Sequence, residues 1–345
     1  MDQPSFTEIT ELGEFGLIDY LTQNIIIQNS STIKGVGDDC AVIDHNGYQT
    51  LVSVDMLVEN VHFDRMYTPL KHLGYKTITS SISDSYAMNA MAEQVIVSIA
   101  VSNQLSVEML SEIYSGMLTA CKLYNVDLVG GDTTTIPTGM VINITSIGKA
   151  KPEDIIYRNT AKDKDLICVT GDLGSAYVGL LVLEREKKVF LESKGVQPAL
   201  EGYDYVLQRQ LTPEARKDIP MIFKYLGIKP TSMIDISDGL SSEIIHICKQ
   251  SGVGCKLFEE KIPIDPTTYQ FALDFNLDPT MCAMNGGEDY ELLFTIPVTE
   301  YEKVKNHPDF TAIGHITDMP GDYRLITKSQ NEHPLKAQGW KVFNR

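Results

Sequence analysis

The chain has 345 residues, 43% hydrophobic and 22% charged, which is the composition of an ordinary globular protein with room for about two domains. Acidic residues outnumber basic ones by 46 to 29, giving a formal net charge of -17. This balance excludes a basic nucleic-acid surface, because binding phosphates requires clustered Lys and Arg. The start lacks the features of a secretory signal, and no apolar run approaches the roughly 20 residues that span a bilayer.

Cysteine usage predicts a protein without disulfides or a zinc site. The six cysteines are scattered through mostly apolar surroundings, with no Cys-x-x-Cys pair. Such thiols are typical of a reducing compartment, where they stay buried and free. We therefore expect a cytoplasmic protein. Its six buried thiols would be Cys40, Cys121, Cys168, Cys248, Cys255 and Cys282.

Residues 1–150 are predicted to form an N-terminal domain. A helix over Glu8–Gln23 opens it, and the glycine turn Gly35–Asp39 leads into a short apolar strand. A hairpin at His45–Gly47 joins this strand to the next, Thr50–Asp55. This part favours an α+β domain with a mixed, largely antiparallel sheet. The remaining elements are a helix over residues 69–92, a strand Gln94–Ser102, a helix Val107–Tyr124, a strand Asp127–Asp132 and a strand Met140–Ala150.

Residues 151–345 are predicted to form a C-terminal α/β domain, with the boundary near Lys151–Asp154. The apolar strand Asp165–Gly171 runs into the glycine-rich turn Gly171–Ala176, which opens a helix. Free N–H groups at such a helix N-terminus favour an anion, although many strand-to-helix turns have this composition. The spacing matches neither a P-loop nor a dinucleotide-binding turn.

The most informative stretch is Ile234–Leu240, with the sequence IDISDGL. It places Asp235 and Asp238 where an apolar strand passes into a helix. Two carboxylates at the edge of a core repel each other unless a cation, a ligand or a helix N-terminus offsets their charge. The structural alternative is that Asp238 or Ser237 caps the helix while Asp235 faces solvent.

Acidic residues stand beside Gly, Ser or Thr in five further turns or strand ends. Helix caps explain one such place, but not six. Hard carboxylate oxygens suit Mg²⁺, which is commonly held by a few carboxylates together with substrate phosphates. The pattern therefore predicts a Mg²⁺-dependent enzyme that acts on phosphorylated compounds. The five further places are Gly37–Asp39, Ser53–Asp55, Ser83–Asp84, Gly130–Thr134 and Gly286–Asp289.

Six segments follow one another along nearly the whole chain: GDDCAVI, SVDMLVENVHF, GGDTT, DISDGL, GGEDYELLF and the closing GW. In these segments the chain resembles the thiamine-monophosphate kinase family. That family shares a superfamily with aminoimidazole ribonucleotide synthetase, selenophosphate synthetase and a hydrogenase maturation factor. The resemblance implies an aminoimidazole ribonucleotide synthetase-like fold and a homodimer whose N-terminal sheets pair into a barrel. It also implies ATP-dependent phosphorylation of thiamine monophosphate to thiamine diphosphate.

The resemblance implies several Mg²⁺ ions around the phosphates of ATP. Val54 stands where threonine is common in the family, so only its backbone carbonyl is implied as a ligand. The segment Ser83–Ala90 also departs from the family pattern and adds bulk near Asp84. The implied metal ligands are Asp38, Ser53, Val54, Asp55, Asp84, Asp132, Asp235 and Asp238.

Two further sets of contacts are implied, with no catalytic side chain. The thiamine phosphate would lie against His62, Glu288 and Trp340, with Trp340 stacking on an aromatic ring and Glu288 beside the cationic thiazolium. The turn Arg158–Ala161 replaces an RSGA-like turn of the family. The implied ATP contacts are Tyr114, Gly131, Asp132, Arg158 and Ser237.

The expected mechanism is direct in-line transfer to a phosphate oxygen of thiamine monophosphate. A phosphate acceptor is already ionised near neutral pH, its second pKa being about 6, so no strong base is required. Positioning and charge neutralisation would then suffice. Two alternatives stay open: an ATP-dependent cyclising ligase of the aminoimidazole ribonucleotide synthetase type, and a non-catalytic nucleotide-binding maturation scaffold.

Overall fold

The computed structural model describes residues 30–35, 37–45, 47–193 and 197–337. The predicted helix Glu8–Gln23 lies outside these ranges. Within them, the first half of the chain forms one sheet. Its strands are β1 Thr32–Lys34, β2 Ala41–His45, β3 Tyr48–Val58, β4 Met91–Val101, β5 Asp127–Thr135 and β6 Met140–Ala150.

This first sheet has the order β1-β2-β3-β6-β4-β5. Only β4 and β5 pair in parallel, and the other neighbouring strands are antiparallel. The sheet is therefore mixed and largely antiparallel, as the sequence predicts. The predicted hairpin between β2 and β3 is also confirmed, because His45 pairs with Tyr48.

Two helices, α1 Leu70–Ala87 and α2 Val107–Tyr124, cover one face of the first sheet. They cross in close contact, because a Cβ atom at Gly74 would lie 1.8 Å from the carbonyl oxygen of Ile113. The helix α1 ends five residues before its predicted end. Asn89 adopts a left-handed conformation there, with φ 57°, and the chain turns into β4.

The second half of the chain forms a sheet of seven described strands. Their order is β13-β12-β9-β11-β7-β10-β8, in the numbering below. Only β9 and β12 pair in parallel. The second half does alternate strands and helices, but its sheet is mixed and mostly antiparallel. The strands are β7 Leu166–Thr170, β8 Ser232–Asp235, β9 Gly254–Phe258, β10 Leu292–Ile296, β11 Phe310–Thr317, β12 Tyr323–Ile326 and β13 Glu332–Pro334.

Both faces of the second sheet are buried. Along β7, Ile167 and Val169 join one apolar cluster while Cys168 joins another on the opposite face. This explains the uninterrupted apolar runs of its central strands. The helices of this half are α3 Ser175–Glu192, α4 Asp204–Leu211, α5 Ile219–Leu226, α6 Leu240–Ser251, α7 Pro266–Asp274, α8 Pro279–Asn285 and α9 Tyr301–Val304.

Two expectations from composition can be compared with the fold. All six cysteines are buried and free, which confirms the predicted thiols. Among the described helices, none combines the length and the apolar character that crossing a membrane requires.

Candidate active site

Three carboxylates from distant parts of the chain meet at one point. Asp39 precedes β2, Asp84 lies in the last turn of α1, and Asp235 ends β8. Each offers one oxygen atom, and these three atoms all lie within 4.8 Å of one another. The Oγ of Ser83 donates a hydrogen bond to Asp235 Oδ2 at 2.7 Å and fixes that side chain. The arrangement has the ligand type and spacing of a divalent-cation site.

Asp38 and Asp55 extend this group, and we name the five residues Asp38, Asp39, Asp55, Asp84 and Asp235 the carboxylate cluster. The charge of Asp55 helps to raise the pKa values of Asp84 and Asp235. Burial and the charge of Asp39 raise the pKa values of Asp38 and Asp55 to about 6. Burial is also the main cause that raises the pKa of Asp235 to about 7 and that of Asp84 well above 3.8. All four pKa values are raised, which indicates negative charge that the described residues do not fully offset.

Buried oxygen atoms in the cluster support a cation as the missing partner. The Oδ2 atoms of Asp38, Asp39 and Asp55 are buried and accept no hydrogen bond from the described residues. Buried carboxylate oxygens are costly without a donor or a metal ion. The donor set is all oxygen, as Mg²⁺ prefers. The residues present therefore fit the predicted metal.

Arg158 lies against the cluster as an internal cation. Its Nη2 is 2.5 Å from Asp39 Oδ1, and its Nε is 3.4 Å from Asp38 Oδ1. The guanidinium offsets part of the repulsion and lowers the pKa values of Asp38 and Asp235. The expected contact of Arg158 with ATP stays a prediction, but the structure does bring this residue to the site.

Two residues that the sequence did not assign as ligands or contacts belong to this site. Asp39 lies in the three-carboxylate group, whereas only its neighbour Asp38 was expected to bind metal. Glu243, buried in α6, accepts a hydrogen bond from the backbone N–H of Asp238 at 3.0 Å. The signal in the sequence was an acidic residue in the first turn of the helix that follows the DISDG loop, where the helix dipole favours negative charge.

Ser53 and Val54 project to opposite faces of β3. Ser53 is buried, and its Oγ donates to the carbonyl of Ser81 at 3.4 Å, beside the cluster. Val54 is 60% exposed on the other face. Its side chain is therefore not at the cluster, and the expected role of its backbone carbonyl stays a prediction.

Asp132 lies apart from the carboxylate cluster in the described chain. On the edge strand β5 it is exposed and pairs with Ser98, which in turn pairs with Asn143. Asn143 pairs with Met56, which is 55% exposed. Paired residues of neighbouring strands share one face, so Asp132 lies on the face away from α1 and α2. Its expected roles toward metal and ATP stay predictions.

Gly131 has a packing role in the same strand. A Cβ atom there would lie 1.9 Å from the carbonyl oxygen of Val97, whereas one at Gly130 would meet nothing within 4 Å. The second glycine of this pair is therefore required by the contact between β5 and β4. Its expected contact with ATP stays a prediction.

Tyr114 and His62 lie in the first half of the chain, on a helix and in a turn. Tyr114 lies on α2 and packs against the core of the first sheet. His62 is exposed in the turn after β3, where its Nδ1 accepts the backbone N–H of Val58 at 3.0 Å. Trp340 lies outside the described residues. Their expected substrate and nucleotide contacts stay predictions.

Ser237 and Glu288 belong to two loops that are joined by backbone hydrogen bonds. The N–H of Glu288 donates to the carbonyl of Ser237 at 2.7 Å, and that of Tyr290 to Ile236 at 3.0 Å. Gly287 has φ 73°, and a Cβ atom there would lie 2.5 Å from the Ser237 oxygen. Gly287 therefore permits the close approach of the two loops.

The turn that was considered as an anion site already holds a carboxylate of this chain. The N–H of Gly174, before α3, donates to Asp289 Oδ2 at 2.8 Å. Asp289 is buried beside Arg209, whose Nη2 lies 3.9 Å from Oδ1. The turn thus anchors the Gly286–Asp289 loop, which places Glu288 beside Ser237.

Comparisons with known proteins identify the family of the chain. Residues 37–150 match the family model described as AIR synthase related protein, N-terminal domain. Thiamine-monophosphate kinase of Bacillus subtilis (strain 168) is 31% identical over 338 residues, covering 96% of this chain and 100% of that protein. Thiamine-monophosphate kinase of Aquifex aeolicus (strain VF5) is 32% identical over 337 residues, covering 97% of this chain and 99% of that protein.

A solved structure gives the same result for the fold. The structure of AaThiL complexed with AMPPCP and TMP superimposes with a TM-score of 0.82 at 29% sequence identity, covering 98% of this chain and 100% of that one. Sequence and fold therefore agree over nearly the whole length of the chain. The chain belongs to the thiamine-monophosphate kinase family.

Proposed function

We propose that this protein transfers the γ-phosphoryl group of ATP to the phosphate of thiamine monophosphate, giving thiamine diphosphate and ADP. The observation that carries the proposal is the carboxylate cluster, in which three buried Oδ2 atoms accept no hydrogen bond from the described residues. Family relatives are named thiamine-monophosphate kinase, and one related structure holds AMPPCP and TMP. A nucleotide and a phosphorylated acceptor both bring the negative charge that a cation-loaded cluster would bind.

The proposed metal is Mg²⁺. The carboxylate cluster would hold one ion, and we propose Asp238, Ser53, the Val54 carbonyl and Asp132 as ligands of further Mg²⁺ ions. Bound Mg²⁺ supplies positive charge that neutralises phosphate oxygens. The chain's own residues do the rest: Ser83 orients Asp235, and Arg158 offsets charge at Asp39. No side chain need remove a proton, because the acceptor phosphate is already ionised.

We propose that the substrates lie on either side of the Ser237–Glu288 contact. ATP would contact Tyr114, Gly131, Asp132, Arg158 and Ser237. Thiamine monophosphate would contact His62, Glu288 and Trp340. Burial and the charges of Glu288 and of Asp235 in the cluster all raise the pKa of Tyr290. Both carboxylates are therefore near the same hydroxyl, which supports this arrangement.

We also propose a cytoplasmic homodimer with domains at 1–150 and 151–345. The face of the first sheet away from α1 and α2 exposes Val54 by 60% and Met56 by 55%. Burying such apolar strands against a second copy would close the two sheets into a barrel. The wild type is expected to scatter light as a dimer, with about twice the chain mass of 38.4 kDa. Val54→Glu should reduce the measured mass to that of one chain.

Leu118→Glu is the matched control for this assembly. Leu118 is 56% exposed, but it lies on α2 and not on the proposed interface. The control should keep the dimer mass. A wild-type protein that scatters as a monomer at micromolar concentration would refute the proposed assembly.

The activity is tested by incubating the purified protein with ATP, Mg²⁺ and thiamine monophosphate and resolving the products by chromatography. Thiamine diphosphate and ADP should form in equal amounts. Chelation should stop the reaction, and added Mg²⁺ should restore it. ATP turnover with formylglycinamidine ribonucleotide, and none with thiamine monophosphate, would instead establish the cyclising ligase. ATP binding without turnover of either compound would establish a scaffold.

A further inference from the structure

Glu288 already has a partner for its charge within the chain. Lys76 of α1 is only 4% exposed, and its Nζ lies 2.8 Å from Glu288 Oε1. An ammonium at this distance offsets the carboxylate charge. The attraction is stronger than at the surface because Lys76 is buried and water screens it less. The surroundings of Glu288 therefore favour a neutral hydrogen-bonding group of a ligand over a second cation.

Gln210, near the end of α4, completes this contact. Its Nε2 donates to Glu288 Oε2 at 2.9 Å, and its backbone carbonyl accepts from Lys76 Nζ at 3.1 Å. The bond from Nε2 fixes the orientation of the side-chain amide, because the reversed amide would place Oε1 against the Glu288 carboxylate. The atom directed away from Glu288 is therefore Oε1, which can only accept.

This acceptor has no donor among the described residues. Gln210 is 5% exposed, and its Oε1 is buried without a hydrogen bond. A buried polar atom without a partner calls for an explanation, and a donor from a ligand or from water would supply one here. The location favours a ligand, because the same Gln210 amide is bonded to Glu288, a proposed substrate contact in the loop that is bonded to Ser237.

We propose that Gln210 determines substrate specificity by accepting at Oε1 a hydrogen bond from the exocyclic amino group of the pyrimidine ring of thiamine monophosphate. This inference rests on the proposed function, which supplies the substrate. The amino group is the neutral N–H donor of that molecule, whereas the thiazolium ring carries charge without an N–H. Lys76 and Glu288 hold the amide in place before the substrate binds, so little ordering is required on binding.

The test compares thiamine monophosphate with an analogue in which hydrogen replaces the exocyclic amino group. Calorimetry measures the binding of both compounds to the wild type and to Gln210→Met. The wild type should bind the amino compound about tenfold more tightly, and the variant should bind both within about twofold. Gln208→Met, an exposed position on the same helix, should keep the wild-type ratio.

A second measurement does not depend on the folding of a variant. A further analogue carries a carbonyl oxygen in place of the amino group, and this acceptor would face the Gln210 acceptor. The wild type should bind it more weakly than the hydrogen analogue. Equal binding of these two analogues overturns the inference, as does an unchanged ratio in Gln210→Met.

Diphosphate formation in the same samples separates the two proposals. If product forms but the binding ratio is unchanged in the variant, the role of Gln210 is rejected while the kinase activity stands. If the ratio is lost in the variant and no product forms with the wild type, the specificity role stands and the kinase activity is rejected.

Discussion

Replacing Asp235 with Asn is expected to lower the rate of thiamine diphosphate formation by at least about 100-fold, the scale seen when one electrostatic contact to a reacting centre is removed. Asp235 lies in the three-carboxylate group, so its loss weakens the proposed metal site. The Asn oxygen can still accept the Ser83 hydrogen bond, so the loop should keep its position. Product formation with saturating ATP and thiamine monophosphate measures the effect.

The same substitution should stabilise the protein when chelator has removed divalent cations. Burial raises the pKa of Asp235 to about 7 from 3.8, so the folded state binds this proton more tightly than the unfolded state. Folding stability therefore falls as pH rises between these two values, and the loss is complete above the higher one. Asn does not ionise, so the variant does not lose this stability as pH rises. Its advantage should grow between pH 5 and pH 8, reaching about 1 to 3 kcal/mol.

Urea unfolding at both pH values, with chelator present, measures this advantage. Asp163→Asn, at an exposed position, is the control and should change neither stability nor rate. A variant that is inactive but also less stable than the wild type at pH 8 would contradict the interpretation. It would show that Asp235 supports the fold and does not strain it.

Replacing Glu291 with Gln is expected to lower the free energy of unfolding by about 3 kcal/mol. Glu291 is 3% exposed and accepts from Arg209 Nη1 at 3.0 Å, from Arg216 Nη1 at 2.7 Å and from Thr170 Oγ1 at 2.5 Å. The substitution leaves two guanidinium groups, with 14% and 11% of their side chains exposed, beside a neutral amide. Removing one partner of a largely desolvated ion pair is strongly destabilising. Arg216 keeps Asp218 and Asp309, which limits the loss.

An exposed ion pair provides the control for this second experiment. Glu332 Oε1 lies 2.8 Å from Lys256 Nζ, with 47% and 33% of the two side chains exposed. Glu332→Gln should therefore change stability by less than about 1 kcal/mol. Denaturant unfolding of the two variants side by side gives the comparison. Equal small losses would show that the Glu291 network contributes no more than a surface pair.

Local sequence patterns determined much of this protein. The helix Val107–Tyr124 has its predicted bounds, because Ser106 caps its start and Asn125 ends it in a left-handed conformation. Acidic residues beside glycine and serine predicted the ligand chemistry of the site. The motifs along the chain predicted the family. Each of these features depends on residues that are close together in sequence.

Only the tertiary structure decided which of those residues meet. It placed Asp39 in the cluster and Asp132 on the other face of the first sheet, although each stands in a Gly-Asp motif of the sequence. The reason is the sequence separation of the contacts. Ser83 and Asp235 are 152 positions apart, and Lys76 and Gln210 are 134 apart.

The second sheet shows the same limit. Its strands carry apolar runs that fit parallel or antiparallel pairing equally well, so periodicity could not choose between them. The strand order places β10 between β7 and β8, far from its neighbours along the chain. Residue type and spacing are local properties that the sequence states directly. Strand pairing and long-range side-chain contacts depend on how the whole chain buries its apolar surface. Only the tertiary structure therefore determines them.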